Sequence, residues 1–173
     1  MDKQAFVPLV CLCVLTHIIR TIYEIAKHKK IVRPDKLSFV IIFINMAVLW
    51  ISWFALCSAD IYRINLPDIV RYFGLSFCII GLIIFLIALA TIKTLENYDG
   101  ELIVKGIYSR IRHPMYLGFI LLLIGFPVYQ GAVYSFALAL IFIINILFWR
   151  YLEEKELEER FVDYKIYSVR TLF

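Results

Sequence analysis

Residues 114–149 read PMYLGFILLLIGFPVYQGAVYSFALALIFIINILFW, 36 residues without one Asp, Glu, Lys or Arg. As a single helix this run would be about 54 Å long at ~1.5 Å per residue. The hydrocarbon core of a bilayer is only ~30 Å thick. The run must therefore turn. Gly125, Pro127, Gln130 and Gly131 supply the break near its midpoint. The reading is a tight helical hairpin, about 114–128 and 132–150, with a short first arm.

The rest of the chain fits the same solvent. Hydrophobic residues make up 62% of the 173 and charged residues 18%, against ~45–50% and ~25% in soluble domains. A globule of this size cannot hide so much apolar surface, since it still exposes roughly a third of its unfolded area. Soluble folds and disorder are both excluded by these figures. Leu37 to Ala59 is free of charge for 23 residues and Tyr72 to Ile92 for 21. Each is enough for one crossing of about 20 residues. Gln4 to Ile19 is uncharged and is followed by Arg20 and Glu24. A cleaved leader fits it poorly, because no basic segment precedes a small-residue cleavage site. The expectation is one all-α integral membrane domain over 1–173 with five transmembrane helices, about 5–26, 37–59, 69–92, 114–128 and 132–150.

Charge sets the orientation. Fourteen Lys and Arg fall in 27–36, 93–113 and the tail from 150, against Lys3, Arg63 and Arg71 on the other side. The positive-inside rule places the N-terminus outside and the C-terminus in the cytoplasm, as an odd number of spans requires. The net charge of +4 is then a matter of topology and anionic lipid, not of nucleic acid. Cys11, Cys13, Cys57 and Cys78 all lie in apolar runs with no CxxC spacing. They read as small hydrophobes rather than as a disulfide or metal site.

Polar chemistry is concentrated in two pieces, one before the hairpin and one after it. A short hairpin brings its two ends out side by side, so these pieces meet at one face. The first ends Arg112-His113-Pro114-Met115-Tyr116-Leu117-Gly118. Pro at a first helical position marks a helix start. Its free N–H groups, with Arg112 beside them, suit a carboxylate or phosphate, or equally an ordinary interfacial helix start on lipid phosphate. Gly118 permits close approach of another backbone or of a ligand. In the second piece Arg150 and Glu154 are four apart and share a helical face. They suit a zwitterion, or a solvated helix leaving the membrane. His17, Arg20, Glu24 and His28 form one stripe of the first span. That stripe is either the polar wall of a substrate cavity or a snorkelling Arg20–Glu24 pair.

Glu101-Leu102-Ile103-Val104-Lys105-Gly106-Ile107-Tyr108, then Arg112-His113-Pro114-Met115-Tyr116-Leu117-Gly118, then Glu153-Glu154 and Leu157, resemble the membrane methyltransferases. These are the isoprenylcysteine carboxyl methyltransferases and the related phospholipid methyltransferases, in their five-span prokaryotic form. The resemblance covers about 93–170. It implies an integral membrane methyltransferase, multi-pass, in the plasma membrane if prokaryotic, with S-adenosyl-L-methionine as methyl donor. The cofactor region would be 93–118 together with 150–170. Carried over, Leu102, Val104 and Tyr108 line the adenosine side. Arg112, His113 and Tyr116 hold the cofactor, and Glu154 meets its charged methionine end. Arg150 faces a lipophilic acceptor, a prenylcysteine-like carboxylate or a lipid amine. Glu153 or His113 assists where a proton must leave. The stretch Arg160-Phe161-Val162-Asp163-Tyr164-Lys165-Ile166-Tyr167 lacks the family's Gly after Phe. The chain's last residues, Val169-Arg170-Thr171-Leu172-Phe173, lack its proline. These departures imply a looser or differently placed tail. The rival is an NADPH-dependent sterol-type reductase, which shares the Arg-His-Pro-x-Tyr-x-Gly region but usually has Asn at Met115 and an acid at Phe119. A non-catalytic membrane scaffold is the third reading.

Overall fold

The computed structural model describes residues 3–32, 35–92 and 102–173. Arg33, Lys93 and Glu101, used in the charge count and the motif, lie outside the described residues, as does the first part of the expected cofactor region. The described chain is all-helical: α1 (Phe6–His28), α2 (Lys36–Ser58), α3 (Asp68–Ile92), α4 (Pro114–Gln130), α5 (Val133–Arg160) and α6 (Tyr164–Arg170), with short 3-10 turns at Lys3–Ala5 and Gly106–Ser109. Among the described residues, α1, α2, α3 and α5 are long and apolar enough to cross a membrane. The fifth expected span, α4, has 17 residues, about 26 Å at ~1.5 Å per residue.

The hairpin forms, with two differences from expectation. Pro127 does not end α4, which runs through it to Gln130. A proline in a last turn leaves only the Leu123 carbonyl without its donor. The break falls at Gly131, whose φ of +66° is the left-handed cap that glycine adopts without strain. On the other side α5 continues ten residues past Arg150, so Glu153 and Glu154 sit on the membrane helix itself.

The α4–α5 turn is anchored from the α2–α3 loop. The buried Asp60 carboxylate accepts from the Ser135 N–H and hydroxyl, both at 2.7 Å, and from the Tyr62 N–H at 2.9 Å. It caps a helix whose own N-cap residue, Ala132, offers no side chain for the task. Ile64 donates its N–H to Gly131 O at 3.0 Å, and Val133 donates to Tyr62 O at 3.1 Å.

Two kinds of helix contact build the bundle. Antiparallel α3 and α4 meet through glycines: Gly74 against Gly125 and Gly81 against Gly118, seven residues apart on each helix. A Cβ on Gly125 would stand 2.5 Å from Gly74 O, and one on Gly118 would stand 2.7 Å from Gly81 O. Gly118 therefore admits a backbone, not a ligand. Such small-residue seams let helices pack closely in lipid, where burial alone gives little drive. Helices α1, α2 and α5 instead pack by large side chains, with Trp53, Leu56, Cys57, Phe142, Ile146 and Trp149 at the centre. Polar groups of α1 and α5 bond to each other there. Trp149 Nε1 donates to Thr21 Oγ1 at 2.9 Å, Thr21 donates to Asn145 Oδ1 at 3.1 Å, and Asn145 Nδ2 lies 3.1 Å from His17 Nδ1.

Candidate functional site

The expected face is where α4 begins and α5 ends. His113 caps α4 and Pro114 opens it, which would leave unpaired N–H groups. The tail covers those nearest the cap. Arg112 N–H donates to Leu172 O at 2.9 Å, His113 N–H to Phe173 O at 3.3 Å, and Leu172 N–H to Arg110 O at 2.8 Å. The Tyr167 hydroxyl donates to Tyr108 O at 2.6 Å. The residues from 164 onward are thus strapped along 108–113, despite the missing Gly and Pro.

Glu154 gathers bases from both pieces onto one oxygen. Its Oε1 lies 3.3 Å from Arg112 Nη1, 3.3 Å from His113 Nε2 and 3.5 Å from Arg150 Nε. Glu153, one residue earlier, accepts from the Tyr116 hydroxyl and lies 4.0 Å from His113 Nδ1. A second cluster joins α1 to the end of α5. The buried Glu24 pairs with Arg20, and with Lys27 at 3.1 Å. Lys27 also reaches Glu156 at 3.4 Å, and Arg160 reaches Glu156 at 3.5 Å.

A cavity of about 840 Å³ lies between these clusters. Leu102, Tyr108, Arg112, His113, Tyr116 and Glu153 line it, and so do Arg20, Glu24 and Lys27 of α1. Three expected site residues are not on its wall. Val104 points outward and is 49% exposed. Glu154 sits behind Arg112 and His113, holding both. Arg150 is turned away by its pairing with Glu154 and by the Phe173 ring, 4.6 Å from its guanidinium carbon. The arginines on the wall are Arg20, Arg112 and Arg160, and Arg20 also lies over the Trp149 ring at 5.8 Å.

With this geometry in place, comparison with known proteins is informative. A family model described as phospholipid methyltransferase matches residues 69–163, more than half of the chain. The chain belongs to the phospholipid methyltransferase family. No curated protein and no solved structure matches it. The family match takes in nearly all of α3 and the whole of α4 and α5, and with them each of the residues expected to hold the cofactor. It excludes α1 and α2, which also line the cavity, and α6 with the strap.

Several wall residues escaped the sequence reading. Tyr164 and Tyr167 line the cavity, although they drew notice only as a departure from the family's pattern. Burial pushes both phenols up, with the Glu154 charge adding to the effect at Tyr164. Burial and the Glu153 charge do the same for Tyr108. All three stay protonated donors around neutrality. The Tyr164 hydroxyl is buried and has no hydrogen-bond partner. Glu156 and Arg160 also face the cavity. Their positions follow from α5 continuing as a helix beyond Arg150, which a charge-free run cannot signal.

Proposed function

We propose that this membrane protein transfers a methyl group from S-adenosylmethionine to a lipophilic acceptor, and that the two ligands share the cavity from opposite walls. The observation that carries the reading is the pairing of Glu154 with Arg112, His113 and Arg150 directly behind the wall of a cavity whose other end is apolar. A zwitterionic amino-acid end needs a carboxylate and a cation, and Glu153 and the Glu154-held Arg112 both line the cavity. Buried polar atoms without hydrogen-bond partners, Arg112 Nε and the Tyr164 hydroxyl, point to a polar ligand there. The residues present therefore fit the cofactor.

Arg112 and His113, held from behind by Glu154, would hold its carboxylate end, Tyr116 its body, and Leu102 and Tyr108 its adenosine. When bound, the cofactor supplies a methyl group on a positively charged sulfur, which departs as a neutral thioether as the acceptor's lone pair takes the methyl. The chain's own part is alignment, which can contribute roughly 7–11 kcal/mol. Arg20 orients the acceptor's head from α1, the role the resemblance implies for Arg150. Arg150 positions Glu154. For a carboxylate acceptor no proton moves. For a lipid amine the Glu153 carboxylate receives the proton the amine must lose, and the Tyr116 hydroxyl steadies that carboxylate. The acceptor reaches the cavity from within the bilayer and the cofactor from the cytoplasm. In this reading α4 is the fifth crossing, the N-terminus lies outside and the tail lies in the cytoplasm.

Calorimetric titration of the detergent-purified full chain with S-adenosylhomocysteine tests the reading, with NADPH as control. Saturable binding of the first, lost in Glu154→Ala, is the expected result. Binding of NADPH instead, or of neither, contradicts it.

A further inference from the structure

The acceptor reading leaves the apolar end of the cavity without a defined role. On α2 its wall is one stripe, Phe39, Phe43, Met46 and Trp50, at the three- and four-residue spacing of a single helical face. From Phe39 to Trp50 the stripe rises about 16 Å at ~1.5 Å per residue. The wall then stops at one level on three helices. The lining residues farthest from the charged end are Trp50 on α2, Phe85 on α3 and Phe119 on α4. Their rings touch in series, Trp50 to Phe119 at 5.1 Å and Phe119 to Phe85 at 5.3 Å between centroids. Past them Phe54 and Phe126 pack edge to face at 4.8 Å, and neither borders the cavity. Sideways the arm is open, since Phe43 lines it and is also 60% exposed.

We propose that the Trp50–Phe119–Phe85 bar is the stop that sets how long a hydrocarbon chain the acceptor can insert, with Trp50 as its specificity-determining residue. The proposal rests on the reading of this cavity as the acceptor's site. A lipid chain gains little by leaving one apolar medium for another, so fit decides. A chain that ends short of the bar leaves wall atoms without contacts. A longer one must force the rings apart or fold back out between α2 and α3.

The test needs no turnover. The full chain in nanodiscs is mixed with single-chain alkyl phosphoethanolamines and S-alkyl cysteines of graded length, each with bromine on its last carbon, and tryptophan quenching is read. The contribution of Trp50 is the difference between the wild type and Trp50→Phe. Its quenching should peak at one chain length, about twofold or more above shorter and longer chains, because contact quenching falls away within a few ångströms of lost packing. Phe85→Leu should move the peak to longer chains. Quenching by Trp50 that is equal at all lengths, as for lipid brushing the outside of α2, overturns the proposal, and so does a peak that Phe85→Leu leaves in place. Methylation of the same lipids with cofactor added is read separately. Its absence beside a sharp peak would count against the methyltransferase reading and not against the stop.

Discussion

Two stretches of α3 teach different things. Toward α4 it presents Gly74 and Gly81, and the helices touch backbone to backbone with no room for a methyl group. One and two turns farther along, Phe85 and Leu89 line a cavity of about 840 Å³, and the Phe85 ring packs on Phe119 of α4 at 5.3 Å. The first contact lies inside the family match and the second reaches outside it, to α1 and α2. The shared half of the molecule is thus a rigid backbone seam that fixes the α4 start against α5. The other half is a side-chain-lined space whose shape depends on which residues this chain carries on α1 and α2.

That contrast can be broken most severely at the seam. Gly125→Val would put a branched side chain where even a Cβ stands 2.5 Å from Gly74 O. Overpacking costs about 1–3 kcal/mol, and more where backbone must move. The expected outcome is a lower midpoint in thermal melts and loss of monodisperse protein, whereas Phe85→Leu, at the cavity end of α3, should lower the midpoint far less. Next in size is Glu154→Gln, which removes the anion shared by three bases. Those contacts hold Arg112 and His113 in place, and each is worth about 1.5–3 kcal/mol, so the melting midpoint should fall and S-adenosylhomocysteine binding should weaken about 10-fold or more by calorimetry.

Smaller effects sharpen the boundary between structure and site. Asp60→Ala leaves the buried Ser135 N–H and hydroxyl without their acceptor. Loss of such a cap costs about 0.5–2 kcal/mol. It should appear in the melt and leave ligand binding untouched, because Asp60 caps the start of α5 and the ligand groups lie at its end. Val104→Ala should alter cofactor binding least, within about 0.5 kcal/mol as for surface positions. A large loss there would return the adenosine to the side of residue 104 that the structure turns outward.

How much of this was legible in sequence depended on contrast. Charge-free runs gave α1, α2 and α3 to within two residues, since a Lys or Glu is costly in lipid, but missed the last ten residues of α5, which stay helical beyond the apolar run. The hairpin was legible from Gly131, but Pro127 misled, because its missing N–H matters little in a last turn. The reciprocal glycines are visible as single letters. Their pairing across α3 and α4 is a matter of register that one sequence does not display. The Phe39–Trp50 stripe was hidden for a related reason: α2 is apolar all round, so no polar face outlines the wall. The α1 stripe stood out because Arg20 and Glu24 contrast with their surroundings. The cofactor residues before and after the hairpin came from ordered motifs, yet no motif indicates that the Phe173 ring would turn Arg150 from the cavity.

The central claim is that the cofactor belongs to the α4–α5 wall and the acceptor to the α1–α2 wall. Calorimetric titration of S-adenosylhomocysteine into Arg112→Ala and Arg20→Ala, side by side, tests it most directly. Arg112→Ala should lose most of the affinity, by about tenfold or more for one charge-assisted contact, while Arg20→Ala should bind like the wild type. Equal losses in both, or a loss confined to Arg20→Ala, would contradict the division.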